Sequence, residues 1–110
     1  MAVDALAKKV VRRLKKAVHA YACQRGWTDN DYQLYIRLNL DWLNVHLVIV
    51  GKDFPGRRPH DRWLRVRELL KSELADEPHI RDALSLSLLT FEEMEEQGSL
   101  GSEFVEAQDL

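Results

Sequence analysis

The residues best placed to do chemistry are cations around a loop that joins a predicted strand to a predicted helix. They are Lys52, Arg57, Arg58, His60 and Arg62. The first turn of a helix offers unpaired N–H groups and the positive end of the helix dipole, both of which favour an anion. Arginine adds forked hydrogen bonds, and lysine adds a point charge. The loop therefore predicts a phosphate or carboxylate contact, unless local pairing with Asp53 and Asp61 makes it a solubilising loop.

A second set of cations lies on the predicted first helix, on the side opposite its apolar stripe. Like-charge pairs four residues apart destabilise a helix by a few tenths of a kcal/mol each, which is about as much as opposite-charge pairs stabilise it. An anionic partner, the protein's own acidic half or plain exposure to solvent would each account for this face. Its members are Lys8, Lys9, Arg12, Arg13 and Lys16, with Lys15 beside them.

The charge of the chain is distributed unevenly along its 110 residues, although the net charge is only -2. Residues 1–67 carry 14 Lys and Arg against 6 Asp and Glu, whereas residues 68–110 carry 2 against 12. This asymmetry predicts either two surfaces for different partners or attraction between the two halves of the chain.

The sequence contains no pattern typical of an active site. His19 and Cys23 are four residues apart on the predicted first helix, but two ligands are too few for a structural zinc site. No third group would orient them as a nucleophilic pair. Ser85 and Ser87 lack the glycines of a nucleophile elbow, and no phosphate-binding glycine motif occurs. We therefore expect a non-enzymatic protein with no metal and no cofactor.

The elements that position these residues follow from the spacing of apolar side chains. Helical spacing predicts a first helix that ends at Gly26. Alternation then predicts a hairpin of two strands, residues 32–40 and 45–50. The outer face of this hairpin, which is expected to be solvated, carries Tyr35, Arg37, His46 and Val48.

A helix that begins at Pro59 leads to a third strand over residues 83–89, which we expect to run parallel to the second. A capping box formed by Thr90 and Glu93 begins a short last helix. The predicted fold is therefore α+β in the order α-β-β-α-β-α, with three helices packed on a three-stranded mixed sheet. The apolar side of the helix that begins at Pro59 holds Trp63, Val66, Leu69, Leu70 and Leu74.

Length and composition predict one α+β domain over residues 1–97, followed by a flexible acidic tail over residues 98–110. No apolar run is long enough to cross a membrane, and the first residues are too basic for the apolar part of a signal peptide. A single cysteine, Cys23, is compatible with a reducing compartment. We therefore expect a cytoplasmic protein.

Several short motifs lie within about residues 45–96. They are Phe54-Pro55-Gly56, then Arg62, Val66 and Leu70, then Ala83-Leu84-Ser85-Leu86 and Leu89-Thr90-Phe91-Glu92-Glu93. Together they resemble the second half of the BolA family. The resemblance implies a fold similar to type II KH domains, a role in DNA binding, and partnership with monothiol glutaredoxins around an iron–sulfur cluster. The sequence departs from the family at the cluster ligands, because Asp82 stands where the family has a histidine. The short loop over residues 41–44 also lacks the family's Cys or His.

Three functions remain open from the sequence. The first is an interaction or regulatory module whose basic loop and helix face contact an acidic partner or the protein's own acidic tail. The second is nucleic-acid binding through the same cations, opposed by the overall acidity and by the bulky Phe54 where a KH domain needs the last Gly of G-x-x-G. The third is a glutaredoxin partner in iron–sulfur handling, as the BolA-like resemblance implies.

Overall fold

The fold is that of a computed structural model, which describes residues 2–39, 44–54, 59–98 and 104–106. It is mixed α+β. The elements are α1 (Ala2–Arg25), β1 (Tyr32–Asn39), β2 (Asn44–Gly51), α2 (Pro59–Glu73), α3 (Pro78–Ala83), β3 (Leu84–Thr90), α4 (Phe91–Gln97) and β4 (Val105–Glu106).

The strands form one mixed sheet in the order β3-β2-β1-β4. β1 pairs antiparallel with β2 along its whole length, so the predicted hairpin is confirmed. β2 pairs parallel with β3, which confirms the predicted crossover through α2. The capping box is also confirmed, because the Glu93 amide donates to Thr90 Oγ1 while the Thr90 amide donates to the Glu93 carboxylate.

Two counts in the predicted fold are wrong. The sheet of the described residues has four strands instead of three, because Val105–Glu106 adds a short strand antiparallel to β1. These two residues lie in the segment predicted as a flexible tail. The described residues also contain four helices instead of three, because Pro78–Ala83 forms a helical turn before β3. The fixed φ of Pro78 suits the first position of a helix, where its missing N–H costs no hydrogen bond.

One face of the sheet packs against α1 and α2 to form the main core. α1 ends at Gly26, whose φ of 72° favours glycine, and the Trp27 amide donates to the Ala22 carbonyl to close the last turn. The predicted apolar stripes are confirmed for the residues that are buried here: Val10, Leu14, Ala17, Val18 and Tyr21 of α1, Leu34 and Ile36 of β1, Val45, Leu47 and Ile49 of β2, Val66 and Leu70 of α2, and Leu74 after it.

The opposite face of the sheet is covered by the C-terminal part of the chain. α4 contacts β2 and β3, and the Phe104 ring lies against the His46 ring with centroids 5.1 Å apart. Val48 is 1% exposed and Val50 is fully buried. The prediction of a solvated outer face is therefore wrong for Val48, because α4 and Phe104 lie against this face.

No helix among the described residues is both long enough and apolar enough to cross a membrane.

Candidate functional site

Three cations of α1 point to solvent along one side of the helix. Lys8, Arg12 and Lys16 are exposed, and none of them forms an ion pair with a residue that the structure describes. Their spacing of four residues places them on one stripe of about two turns. We call these three residues the α1 cationic face. The repulsion within it is not relieved by any described carboxylate.

The neighbouring flank of α1 carries the same residue types but is neutralised by the acidic half of the chain. Lys9 Nζ lies 3.0 Å from Glu77 Oε1. Arg13 pairs with Asp76 and also donates to the Glu73 carbonyl at 3.1 Å. The attraction between halves that the charge distribution predicts therefore occurs here, at the turn after α2. It leaves the α1 cationic face without an ion pair to any residue that the structure describes.

A groove of about 760 Å³ lies between α1 and β1, next to the α1 cationic face. Lys15, Lys16 and His19 form its helical wall, and Tyr32 and Leu34 form part of its floor. Burial raises the pKa of the Tyr32 hydroxyl, with smaller contributions from Asp29 and Cys23, so this hydroxyl stays neutral and can donate a hydrogen bond. Sequence reasoning left His19 and the floor out of the site, because only the packing of α1 on β1 brings them together.

The predicted basic loop is largely used for contacts inside the protein. Arg62 donates to both oxygens of Glu93, at 2.8 and 3.0 Å, and its guanidinium lies 5.6 Å from the centroid of the Phe54 ring. Lys52 Nζ lies 3.7 Å from Asp31. Because Arg62 ties α2 to α4, we leave it out of the proposed contact surface. Of the other predicted loop residues, Arg57 and Arg58 lie outside the described residues, and His60 is exposed and stacks on Trp63.

The two predicted sets of cations lie towards opposite ends of α1 in the described part of the chain. Arg25, in the last turn of α1, pairs with Asp53 at 2.9 Å and so places the start of the loop there. Lys9 and Arg13 pair instead with Glu77 and Asp76, in the turn that follows the far end of α2. A rise of 1.5 Å per residue separates Arg25 from Lys16, the nearest member of the α1 cationic face, by about 14 Å along the helix axis, and from Lys8 by about 26 Å. The start of the loop and the α1 cationic face therefore lie at different positions along α1.

No protein-family model, curated protein or solved structure matches this chain. What the site can do therefore follows from its own side chains. Unpaired Lys and Arg attract carboxylates and phosphates, and the attraction is strongest where several act together at low salt. The adjacent groove adds apolar and hydrogen-bonding surface, through Leu34 and Tyr32, to what the charges alone supply.

The arrangement closest to a catalytic pair is on the outer face of the sheet, where His46 Nε2 lies 2.8 Å from Ser87 Oγ. A serine nucleophile needs an imidazole whose free nitrogen faces the hydroxyl. Here Arg37 Nη2 lies 3.5 Å from His46 Nδ1, and a guanidinium can only donate. Nδ1 therefore accepts, Nε2 carries the proton, and the imidazole donates to Ser87 instead of activating it. Burial, followed by Arg37, lowers the pKa of His46 and keeps the ring neutral.

Metal-binding residues do not gather in the part of the chain that the structure describes. No group of three or more His, Cys, Asp or Glu side chains is placed to hold an ion there. His19 Nε2 and Cys23 Sγ lie 3.5 Å apart on the exposed side of α1, as their spacing predicts. Asp82 is exposed and pairs with Arg81 at 3.2 Å.

Proposed function

We propose that the protein is a non-enzymatic binding module that holds an acidic partner protein on the α1 cationic face. The observation that carries the proposal is the contrast along α1. The protein's own carboxylates pair with Lys9 and Arg13 and leave Lys8, Arg12 and Lys16 unpaired among the described residues. An acidic partner would relieve the like-charge repulsion within the face, which nothing described inside the chain relieves.

The adjacent groove supports a protein partner in particular. Its lining combines the cations Lys15 and Lys16 with the apolar side chain of Leu34 and the hydroxyl of Tyr32. A charged rim beside apolar area is the common composition of a protein–protein contact. A partner segment with carboxylates on one side and an apolar residue directed into the groove would use both parts.

Nucleic acid is the second candidate for the same face, because unpaired Lys and Arg also bind phosphates. The BolA-like and KH-like resemblance belongs to this candidate. The two candidates differ in a measurable way, since phosphate binding releases condensed counterions and weakens steeply with salt.

The test compares two double variants of α1 that remove the same charges at the same spacing. Arg12→Ala with Lys16→Ala removes part of the α1 cationic face, whereas Lys9→Ala with Arg13→Ala removes the paired flank. Binding of fluorescent poly-glutamate and of single- and double-stranded oligonucleotides is measured by anisotropy between about 50 and 300 mM salt. We expect the first variant to lose about tenfold in affinity for poly-glutamate, or about 1.4 kcal/mol, and the second to lose less than about twofold.

Two outcomes would contradict the proposal. If wild-type protein binds none of the polyanions at low salt, the face is only a solvated surface. If both variants lose affinity equally, net charge and not the α1 cationic face controls binding. Tighter binding of oligonucleotides than of poly-glutamate, with a steep salt dependence, would replace the acidic protein by nucleic acid.

A further inference from the structure

β3 forms one edge of the sheet, and part of its outward backbone is already bonded to side chains. The Trp63 indole N–H donates to the Leu86 carbonyl at 3.0 Å. The Thr90 amide donates to Glu93 Oε1 at 3.0 Å. Both contacts come from outside the sheet, so Leu86 and Thr90 turn their backbone groups away from β2.

The alternation of the strand extends this assignment to the residue between them. The N–H and C=O of one strand residue point to the same side, and the side changes at each step. The N–H of Leu86 and both backbone groups of Leu88 therefore face outward, where no described residue bonds to them. An edge with unpaired backbone groups is a template for a further strand.

A groove of about 430 Å³ runs beside the start of this edge, between α2 and β3. Its charged lining is mainly cationic: Arg67 and Lys71 from α2 and Arg81 from the end of α3. Asp82 also lines the groove but is paired with Arg81 at 3.2 Å. We call this groove and the outward backbone of Leu84–Leu88 the β3 edge groove.

The aromatic wall of the β3 edge groove is held in place. The Trp63 ring is stacked on His60 with centroids 5.9 Å apart, and the Arg67 guanidinium lies 5.1 Å from the Trp63 centroid. These contacts, together with the bond to Leu86, fix the indole against the strand. Trp63 therefore covers the Leu86 carbonyl, whereas no described residue bonds to the backbone groups of Leu88, a residue that is 9% exposed.

We propose that the β3 edge groove binds an extended acidic segment of a partner protein, which adds to β3 as a further strand. The backbone of the segment bonds to Leu86 and Leu88, and acidic side chains at every second position face Arg67 and Lys71. Strand addition is a common mode of peptide recognition in which the backbone gives affinity and alternate side chains give selectivity. The β3 edge groove is separate from the α1 cationic face, which lies beside β1.

Charge decides between the possible occupants. A second copy of the protein, paired edge to edge, would bring Arg67, Lys71 and Arg81 towards their own counterparts, and like charges opposed across a contact are unfavourable. A basic or neutral segment would leave Arg67 and Lys71 without an ion pair, since among the described residues only Arg81 of the three has one, with Asp82. An acidic segment complements them.

The test uses a labelled peptide of about eight residues in which Glu and Thr alternate, a length typical of a strand. Amide hydrogen exchange of the whole protein is followed by NMR with and without the peptide. We expect slower exchange at Leu86 and Leu88 and a shift of the Trp63 indole N–H. This measurement needs no variant, so it remains valid even if substitutions in the groove impair folding.

Matched variants assign the site. Arg67→Ala with Lys71→Ala and Arg12→Ala with Lys16→Ala each remove one Arg and one Lys at a spacing of four. We expect the first pair to weaken peptide binding about tenfold and the second less than about twofold. The opposite result would overturn the β3 edge groove and leave the function proposed for α1 standing.

Two further controls separate strand addition from simple attraction. A peptide with N-methyl groups at every second residue keeps its charges but loses the N–H donors on one of its two edges. We expect the peptide methylated on the edge that faces β3 to bind at least about tenfold more weakly than the unmethylated peptide. Equal binding of the methylated and unmethylated peptides would overturn strand addition. The protein alone, without peptide, is also examined by sedimentation and amide exchange. If it self-associates with concentration and protects the amides of Leu86 and Leu88, the occupant is a second copy, and the proposal is overturned.

Discussion

Arg12 on α1 and Arg62 on α2 carry the same guanidinium in opposite surroundings. The side chain of Arg62 is only 14% exposed and forms a forked contact with Glu93. Arg12 is exposed and has no ion pair with a described residue. Arg62 therefore ties α2 to α4, whereas the charge of Arg12 is left exposed. The difference lies in whether the chain folds a carboxylate against the cation.

The largest effect expected from this comparison is the loss of stability when Arg62 is replaced by Ala. Hydrogen bonds to charged groups contribute about 1.5–3 kcal/mol, and the partial exposure of Glu93 places this pair near the lower end, at about 2 kcal/mol. Urea unfolding of Arg62→Ala would measure it. The matched control is Arg65→Ala, an exposed arginine on the same helix, for which we expect a change below about 0.5 kcal/mol. Equal losses in the two variants would mean that Arg62 is as dispensable as a surface residue.

A smaller effect should appear in the pH dependence of stability. The pKa of Glu93 is lowered from its ordinary 4.5, first by the hydrogen bond from the Thr90 amide and then by Arg62. A carboxyl whose pKa is lower in the folded state contributes stability that is complete above its ordinary pKa and is lost as the pH falls below it. Wild type should therefore lose unfolding free energy below pH 4.5.

The variant Glu93→Gln isolates this contribution. It should be less stable than wild type near pH 7, and the gap between the two unfolding free energies should narrow as the pH is lowered. The pKa values of Asp31 and Asp53 are lowered as well, so the variant keeps part of the decline. A gap that stays constant down to about pH 3 would contradict a role for the ionised carboxylate at this junction.

The smallest effect is expected at Arg12, and it has the opposite sign. Arg12→Glu turns two repulsive pairs, with Lys8 and Lys16, into attractive ones, so the variant should gain about 0.5–1 kcal/mol at low salt while losing affinity for polyanions. Thermal unfolding at about 50 and 500 mM salt checks this, because screening should remove most of the gain. A loss of stability would show that Arg12 has a structural partner.

The hairpin, the parallel crossover and the capping box follow from sequence because each has a local pattern. Alternation marks the strands, and Thr90 with Glu93 marks the start of α4. β4 has no such pattern, since two residues cannot show a period, and its place beside β1 depends on a chain that first crosses the sheet. α3 could not be predicted, because a proline such as Pro78 can end one helix as well as begin another.

The sequence predicts which types of residue form the candidate site, but it does not predict which of them pair with carboxylates of the protein itself. The sequence shows a row of cations on α1, but it does not show that Arg13 meets Asp76, which is 63 residues away, while Arg12 meets no described carboxylate. The pairing depends on where the turn after α2 lies against α1. The groove beside β1 depends in the same way on packing between distant elements, so His19 and Tyr32 could not be joined to the site from spacing alone.

The path of the chain over the outer face of the sheet has a consequence for the order of folding during synthesis. Val48 and Val50 lie in β2, and their cover comes from α4 and the segment that holds Phe104. A ribosome delivers those covering residues some 50 positions later. Until then, a nascent chain that has already closed its hairpin exposes Val48 and Val50 to solvent.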